Sequence, residues 1–318
     1  MKRSVLKHLV CPHCKEPLEL RAAREDGAEV MEGALRARCG RSFPILRGVP
    51  RFVEAGAYAS SFGFQWNRFR EVQLDSRSGT GISERTLAQT TGWTQRDYEG
   101  RLVLDAGVGA GRFAEVAAAK GGEVIGIDLT SAVDAAFTSI GRHERVHLCQ
   151  ADIFAMPFRP DSFDLAYSIG VLHHTPDPPA AFARVAEAVK PGGGLAVYLY
   201  AAYGPSHRFS DAIRRLTTRL PLPLMLRLAT VAIPLYYVYR VPLVGGALNT
   251  VFPICMDPDW RWRWLDTFDW YTPKYQFKYR YPEVFRWFRA AGFDDVEVFD
   301  DPIRMRGSKP RRARESAA

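Results

Sequence analysis

Three glycines alternate with small residues in Leu104-Asp105-Ala106-Gly107-Val108-Gly109-Ala110-Gly111-Arg112-Phe113, directly after an apolar run and directly before a helical pattern. Glycine in such a turn permits positive φ and lets a ligand approach the backbone, while the following helix start offers free N–H groups to an anion. A dinucleotide fingerprint requires Gly-x-Gly-x-x-Gly, and its last position would fall on Arg112, which argues against a nicotinamide enzyme. A P-loop requires Gly-Lys-Ser/Thr, which Gly111-Arg112-Phe113 does not supply. Two acids follow at the ends of apolar runs. Asp128 closes Gly126-Ile127-Asp128, where a carboxylate can accept both ribose hydroxyls, and Asp152 closes Gln150-Ala151-Asp152-Ile153, where it can accept adenine amino hydrogens. Each acid alone also reads as a helix N-cap or a solvated strand end. Asp105, Asp128 and Asp152 together, in order at strand tips, read as a nucleoside site.

His173 and His174 follow a further apolar run, and a histidine titrating near neutrality can act as a general base. His174 is preferred by position; the alternative is that one of the pair caps the turn before Pro176–Pro179. The aromatic block Phe62–Trp66 and the polar-aromatic stretch Asp266–Tyr275 suit a lid over cofactor and substrate and offer Trp66 and Tyr271 as pocket candidates, with core packing as the alternative. Cys11, Cys14 and Cys39 are spaced as metal ligands, but Arg36 stands where a partner for Cys39 belongs. His8 or His13 could substitute, so a zinc site and a metal-free remnant both stay open.

These residues must be positioned by repeated strand and helix units. The expected strands are Leu102–Asp105, Val124–Asp128, Val146–Ala151, Phe163–Ser168 and Leu195–Tyr200, alternating with helices Arg112–Lys120, Ser131–Ile140 and Pro179–Val189. The last helix begins on prolines after Asp177 and ends at Lys190-Pro191-Gly192-Gly193-Gly194. Near the C-terminus a helix over 282–289 precedes a hairpin of Val296–Phe299 and Ile303–Arg306, turning at Asp300-Asp301-Pro302. The fold class is α/β with a parallel sheet and an antiparallel edge.

Over about residues 100–200, and more loosely over 281–309, the sequence resembles the class I S-adenosylmethionine-dependent methyltransferases. The resemblance is carried by the glycine stretch, Gly126-Ile127-Asp128, Gln150–Phe158, Ser162–Leu165, Gly170–Asp177 and Lys190–Gly193. It implies a Rossmann-like seven-stranded sheet with a reversed last strand, and S-adenosylmethionine as cofactor. It further implies that Gly107 and Gly109 face the methionine part, that Asp128 binds the ribose, and that Asp152 with Ile153 frames the adenine; Asp105 and Gly111 complete the expected cofactor set. Val108 stands where many relatives carry cysteine. The first 55 residues resemble the short zinc-ribbon-like domain of small activators of tRNA methyltransferases.

The 318 residues, 47% apolar and 25% charged, suit a soluble globular chain with a large core. The expected organisation is a zinc-ribbon-like appendage over 1–55 and a helical lead-in or lid over 56–100. A methyltransferase domain follows over 101–309, with an insertion at 203–265, and a basic tail closes the chain over 310–318. Five cysteines and no apolar signal-peptide core at the N-terminus place the chain in the cytoplasm with reduced thiols. The net charge of +8 names no partner by itself. Its distribution is informative: residues 201–250 hold six arginines against one aspartate. Leu228–Tyr239 is a 12-residue apolar stretch, short of a spanning helix, and lies either on an anionic membrane surface or as a cap over the site. The expected function is methyl transfer to a small-molecule or lipid-linked acceptor, with peripheral membrane contact through 203–250. No recognised nucleic-acid-binding module is present. An RNA-modifying methyltransferase and a non-catalytic cofactor-binding scaffold remain as alternatives.

Overall fold

The apolar runs pair into two sheets in the computed structural model, which describes residues 1–53, 60–203, 206–300 and 303–311. A short 3-10 helix at Arg3–His8 leads into β1 (Leu18–Asp26), β2 (Glu29–Ala37), β3 (Ser42–Leu46) and β4 (Val49–Pro50), an antiparallel sheet in that order. Four helices follow: α1 (Ser60–Arg68), α2 (Asp75–Ser78), α3 (Ile82–Thr91) and α4 (Gln95–Tyr98). The central part then alternates β5 (Leu102–Ala106), α5 (Arg112–Ala119), β6 (Glu123–Asp128), α6 (Ala132–Ile140) and β7 (Val146–Gln150), continuing with β8 (Phe163–Ile169), α7 (Pro178–Ala188) and β9 (Val189–Leu199). Five helices are inserted next: α8 (Ser206–Thr217), α9 (Leu222–Ala229), α10 (Ala232–Tyr239), α11 (Val244–Val251) and α12 (Trp260–Tyr271). The chain returns through α13 (Tyr281–Ala290), β10 (Asp294–Phe299) and β11 (Ile303–Ser308).

The large sheet has seven strands in the order β10-β11-β9-β8-β5-β6-β7, with β11 antiparallel to β9, so the reversed strand lies where the sequence places it. β5 pairs in parallel with both β6 and β8. Successive units wind outward in opposite directions from this point, and the carboxyl ends of β5 and β8 open a crevice where ligands of such sheets bind. All five residues of β5 are buried, as expected for a strand covered on both faces.

Two expectations change. β9 begins at Val189 and runs through Lys190–Gly194, which the sequence suggests as a helix end. The β8–β9 register jumps from Phe163↔Val189 to Leu165↔Gly194, so the proline and glycines occupy an irregularity that an ordinary ladder would reject. α12 continues to Tyr271, beyond the expected limit of the insertion at 265, and the chain rejoins the sheet edge at the Ala201↔Tyr279 bridge. Residues 54–59, Asp301, Pro302 and positions 312–318 of the expected tail lie outside the described residues.

The N-terminal sheet is docked on the β7 edge of the large one. Phe52 N–H donates to the Gln150 carbonyl at 2.9 Å or less (2.8 Å), and Val10 N–H donates to the Pro157 carbonyl (2.9 Å). Val5, Leu9, Leu35 and Ile45 join one core with Ile125, Ile127 and Cys149. Arg51, only 7% exposed, reaches across this junction. It donates to Asp134 (2.6 Å), the Gln150 side-chain oxygen (3.1 Å) and the Leu46 carbonyl (3.0 Å). Asp134 also accepts from Arg47 (2.8 and 3.2 Å), so loss of Arg51 leaves that carboxylate paired but removes a buried donor from the Gln150 and Leu46 oxygens, at a cost of about 1–3 kcal/mol. Arg51→Ala should therefore lower the urea midpoint by the equivalent of about 2 kcal/mol. A loss below about 0.5 kcal/mol would show that the backbone hydrogen bonds and apolar contacts hold the two sheets together without Arg51.

Candidate active site

The glycine turn after β5 is held from both sides. Gly107 has φ +101°, and a Cβ there would lie 2.3 Å from Val171 Cγ2, so only glycine lets the turn close on the strand tip of β8. The Gly107 and Val108 amides both donate to the Ile127 carbonyl, at 2.9 and 2.8 Å. Asp128 at the tip of β6 accepts Gly109 N–H on Oδ2 (3.1 Å), and Thr130 N–H and O–H on Oδ1 (2.9 and 2.8 Å). Burial pushes its pKa above the usual carboxylate value against the pull of those bonds. The Trp66 indole lies over the turn, 3.2 Å from where a Gly109 Cβ would stand.

A cavity of about 460 Å³ opens above this floor. Gly107, Gly109, Asp128, Ile153 and Trp66 line it, as do Arg112, His174, Tyr198, Tyr200, Asp266, Asp269 and Trp270. The far wall is therefore made by the inserted helix α12. Asp266, Asp269 and Trp270 are three and four residues apart, which places them on one helix face. Asp266 accepts from Gln73 (3.0 Å) and Trp262 (2.8 Å), and Asp269 accepts from Gln65 (3.1 Å). Gln73 in turn accepts from Arg112 (2.6 Å), linking α12 to the helix that starts at the glycine turn. Desolvation raises Asp269 to about 7, with the charge of Asp266 adding to it, and raises Asp266 to about 6, with the charge of Asp257 adding. Burial lowers the Arg112 pKa, opposed by the charges of Asp266, Asp75 and Asp269.

The sequence candidates divide. Gly107, Gly109, Asp128, Ile153, Trp66 and His174 meet at the cavity. Asp105 is 2% exposed beneath the turn, accepts from Tyr167 O–H (3.0 Å), and is raised to about 7 by burial; it braces the floor and does not line the cavity. Gly111 starts α5, and its missing Cβ makes room for Ile140, a packing role. Asp152 uses one oxygen to cap the turn at Phe154 N–H (3.0 Å). His173 is fully buried, with its ring centroid 3.9 Å from that of Tyr200, and it does not line the cavity. His174 departs from the expected base in its chemistry: Nδ1 lies 2.7 Å from the Tyr275 carbonyl, and burial pushes its pKa down to about 3. It is neutral at pH 7, with Nδ1–H donating and Nε2 left as an acceptor. Tyr271 is a core residue, donating its O–H to the Pro253 carbonyl (2.9 Å) and stacking on Phe252; Trp270 beside it takes the pocket position. Asp266 and Asp269 line the cavity from within the polar-aromatic stretch 266–275, where the sequence offers Tyr271 instead.

The structure also gathers Cys11, Cys14 and Cys39, with sulfurs within 4.8 Å of one another. Three thiols suit a soft divalent ion, but no fourth Cys, His, Asp or Glu joins them among the described residues. His8 faces Glu123 instead, at 3.9 Å. The set is one ligand short of a closed tetrahedral zinc site.

The cradle fits S-adenosylmethionine: a glycine turn at a helix start, a ribose-competent carboxylate at the next strand tip, and an apolar wall at Ile153. Residues 104–197 match a family described as a methyltransferase domain. The ubiquinone biosynthesis O-methyltransferase of Thiobacillus denitrificans is 36% identical over 104 residues, 31% of this chain and 44% of that protein. Phosphoethanolamine N-methyltransferase 2 of Caenorhabditis elegans is 36% identical over 105 residues, 32% of this chain and 24% of that protein. The chain thus spans less than half the length of these two relatives. A solved complex of the Haloferax volcanii Trm112 methyltransferase activator aligns at 14% identity and a TM-score of 0.48, over 79% of this chain and 99% of that one. The chain thus carries a methyltransferase domain over residues 104–197, set in a seven-stranded sheet with β11 antiparallel to β9.

Proposed function

We propose that this protein transfers the methyl group of S-adenosylmethionine to a small or lipid-linked acceptor bearing an O–H or N–H group. The observation that carries this reading is a single cavity with the glycine turn and Asp128 on one wall and Asp269 on the other. When bound, the cofactor supplies an electrophilic methyl group on a sulfonium and departs as a thioether. Gly107 and Gly109 would receive its amino-acid part, Asp128 the ribose hydroxyls and Ile153 the adenine face, with Asp152 beside it.

The remaining work belongs to the protein side chains. The Asp269 carboxylate would take the proton that the acceptor O–H or N–H loses on methylation. Its raised pKa keeps it close to half-ionised near neutrality, which suits proton transfer at that pH. Neutral His174 accepts or relays a hydrogen bond and does not store the proton. Trp66, Tyr200 and Trp270 keep water from the reacting groups, and holding the acceptor in line contributes about 7–11 kcal/mol to lowering the barrier. The five free thiols suit the reducing cytoplasm as the setting.

Calorimetric titration tests the first half of the proposal. S-adenosylmethionine should bind saturably and NAD should not. Asp128→Ala should weaken binding about a hundredfold, the loss of two hydrogen bonds to a charged acceptor. Unchanged affinity in a variant with an unaltered melting curve would remove Asp128 from the site. The second half is read with methyl-labelled cofactor and an acceptor isolated by its label. Because the base must be ionised, kcat/KM should rise with pH through a midpoint near 7 and then level off. Asp269→Asn should lower kcat by about a hundredfold or more and abolish that limb. A profile that keeps the limb in this variant would assign the base elsewhere.

A further inference from the structure

The inserted helices α9 and α10 are apolar on both their buried and their exposed sides. Met225, Leu226, Ala229, Ala232 and Tyr239 are buried, with Met225, Leu226 and Ala229 in one cluster with Leu265 and Phe268 of α12. The opposite side of the same helices is also apolar and is left open. Leu224, Leu228, Val231, Val238 and Val241 are exposed at spacings of three, four or seven residues, which forms one continuous outer face. The turn before α11 carries Leu243, 92% exposed, at φ +66°. A left-handed backbone there favours glycine, so the fold presents a leucine to the outside at a position where it is sterically costly.

The charges around this face have one sign. Asp211 is the only acid between residues 206 and 256, and it is paired with Lys278 (2.5 Å). Arg215, Arg219, Arg227 and Arg240 are exposed, and none enters an ion pair found among the described residues. Two copies of this face would bring like charges together. An anionic bilayer offers both missing partners, an apolar interior and negative headgroups. By length and composition alone Leu222–Tyr239 could cross a membrane, but it is divided into α9 and α10. Crossing would strip its buried side from α12 and place Arg227 in hydrocarbon; lying in the plane keeps both satisfied.

We infer that the outer face of α9, α10 and α11 docks the protein on an anionic lipid surface. The site lies close along the chain: two residues after exposed Val251, Pro253, Ile254 and Cys255 line the cavity. An amphiphilic acceptor held in the bilayer is thereby delivered to Asp269. This last clause rests on the methyl-transfer reading; the docking itself does not.

The test is flotation of the full chain with vesicles of phosphatidylcholine, with and without phosphatidylglycerol, at low and high salt. The protein should float with the mixed vesicles, and salt should weaken the association. Leu228→Glu with Leu243→Glu should reduce the floated fraction about tenfold or more, and Arg227→Glu with Arg240→Glu should abolish the preference for phosphatidylglycerol. Light scattering and S-adenosylmethionine titration of each variant without vesicles control for assembly and folding. The docking proposal is overturned if wild-type protein stays unbound, if the leucine variant floats equally, or if that variant instead turns a dimer into a monomer. Flotation of a protein that binds no S-adenosylmethionine would leave docking standing and remove the methyl-transfer reading.

Discussion

Asp128 ties the tip of β6 to the turn after β5 by accepting Gly109 N–H on one oxygen and both donors of Thr130 on the other. This carboxylate fixes the turn on one side, while Val171 closes on Gly107 from the other. The floor of the cavity is therefore set by backbone geometry and one side chain, both anchored on central strands that are buried on two faces. Asp105 and Tyr167 brace it from below. A site built this way is preorganised by the sheet, and ordering it costs little when a ligand arrives.

The roof has a different origin. α1 contributes Phe62 and Trp66, and α12 contributes Asp266, Asp269 and Trp270. Gln65 and Gln73 join the two, each donating to one of the α12 carboxylates. Desolvation raises both acids because the cavity walls replace water around them, and the charge of Arg112 opposes the shift in each. A cation entering the cavity stabilises the ionised forms. Charge in this roof thus responds to what occupies the floor, which couples two parts of the chain that are far apart in sequence.

Local periodicity and turn chemistry made the central sheet legible. Asp177 caps α7 through Ala180 N–H, as the Asp-Pro-Pro signal implies, and the strand tips carrying Asp128 and Asp152 follow from short apolar runs. Three features depend on information the sequence holds only collectively. The β8–β9 irregularity admits Lys190–Gly194 into a strand although its composition reads as a loop. Helical phase decides between Trp270 and Tyr271, and the phase of α12 is visible only once its start at Trp260 is known. The protonation of His174 and Asp269 depends on burial by segments from distant parts of the chain, which residue type alone does not convey.

The position of α12 separates the wall of the cavity from its floor. The sheet end is already committed to the glycine turn and Asp128, and changing either disturbs the floor. α12 instead has two separable faces: Asp266, Asp269 and Trp270 point to the cavity, while Leu265 and Phe268 pack with α9. Substitutions among the inserted helices can therefore reshape the roof while the cradle stays intact. They are also free to acquire an outer surface of their own, because only their inner side is needed for packing. The apolar, arginine-bearing exterior of α9–α11 and the carboxylate-bearing interior of α12 are two sides of one inserted layer. Under the proposed reading, one segment of chain would set both where the acceptor is met and what lines its pocket.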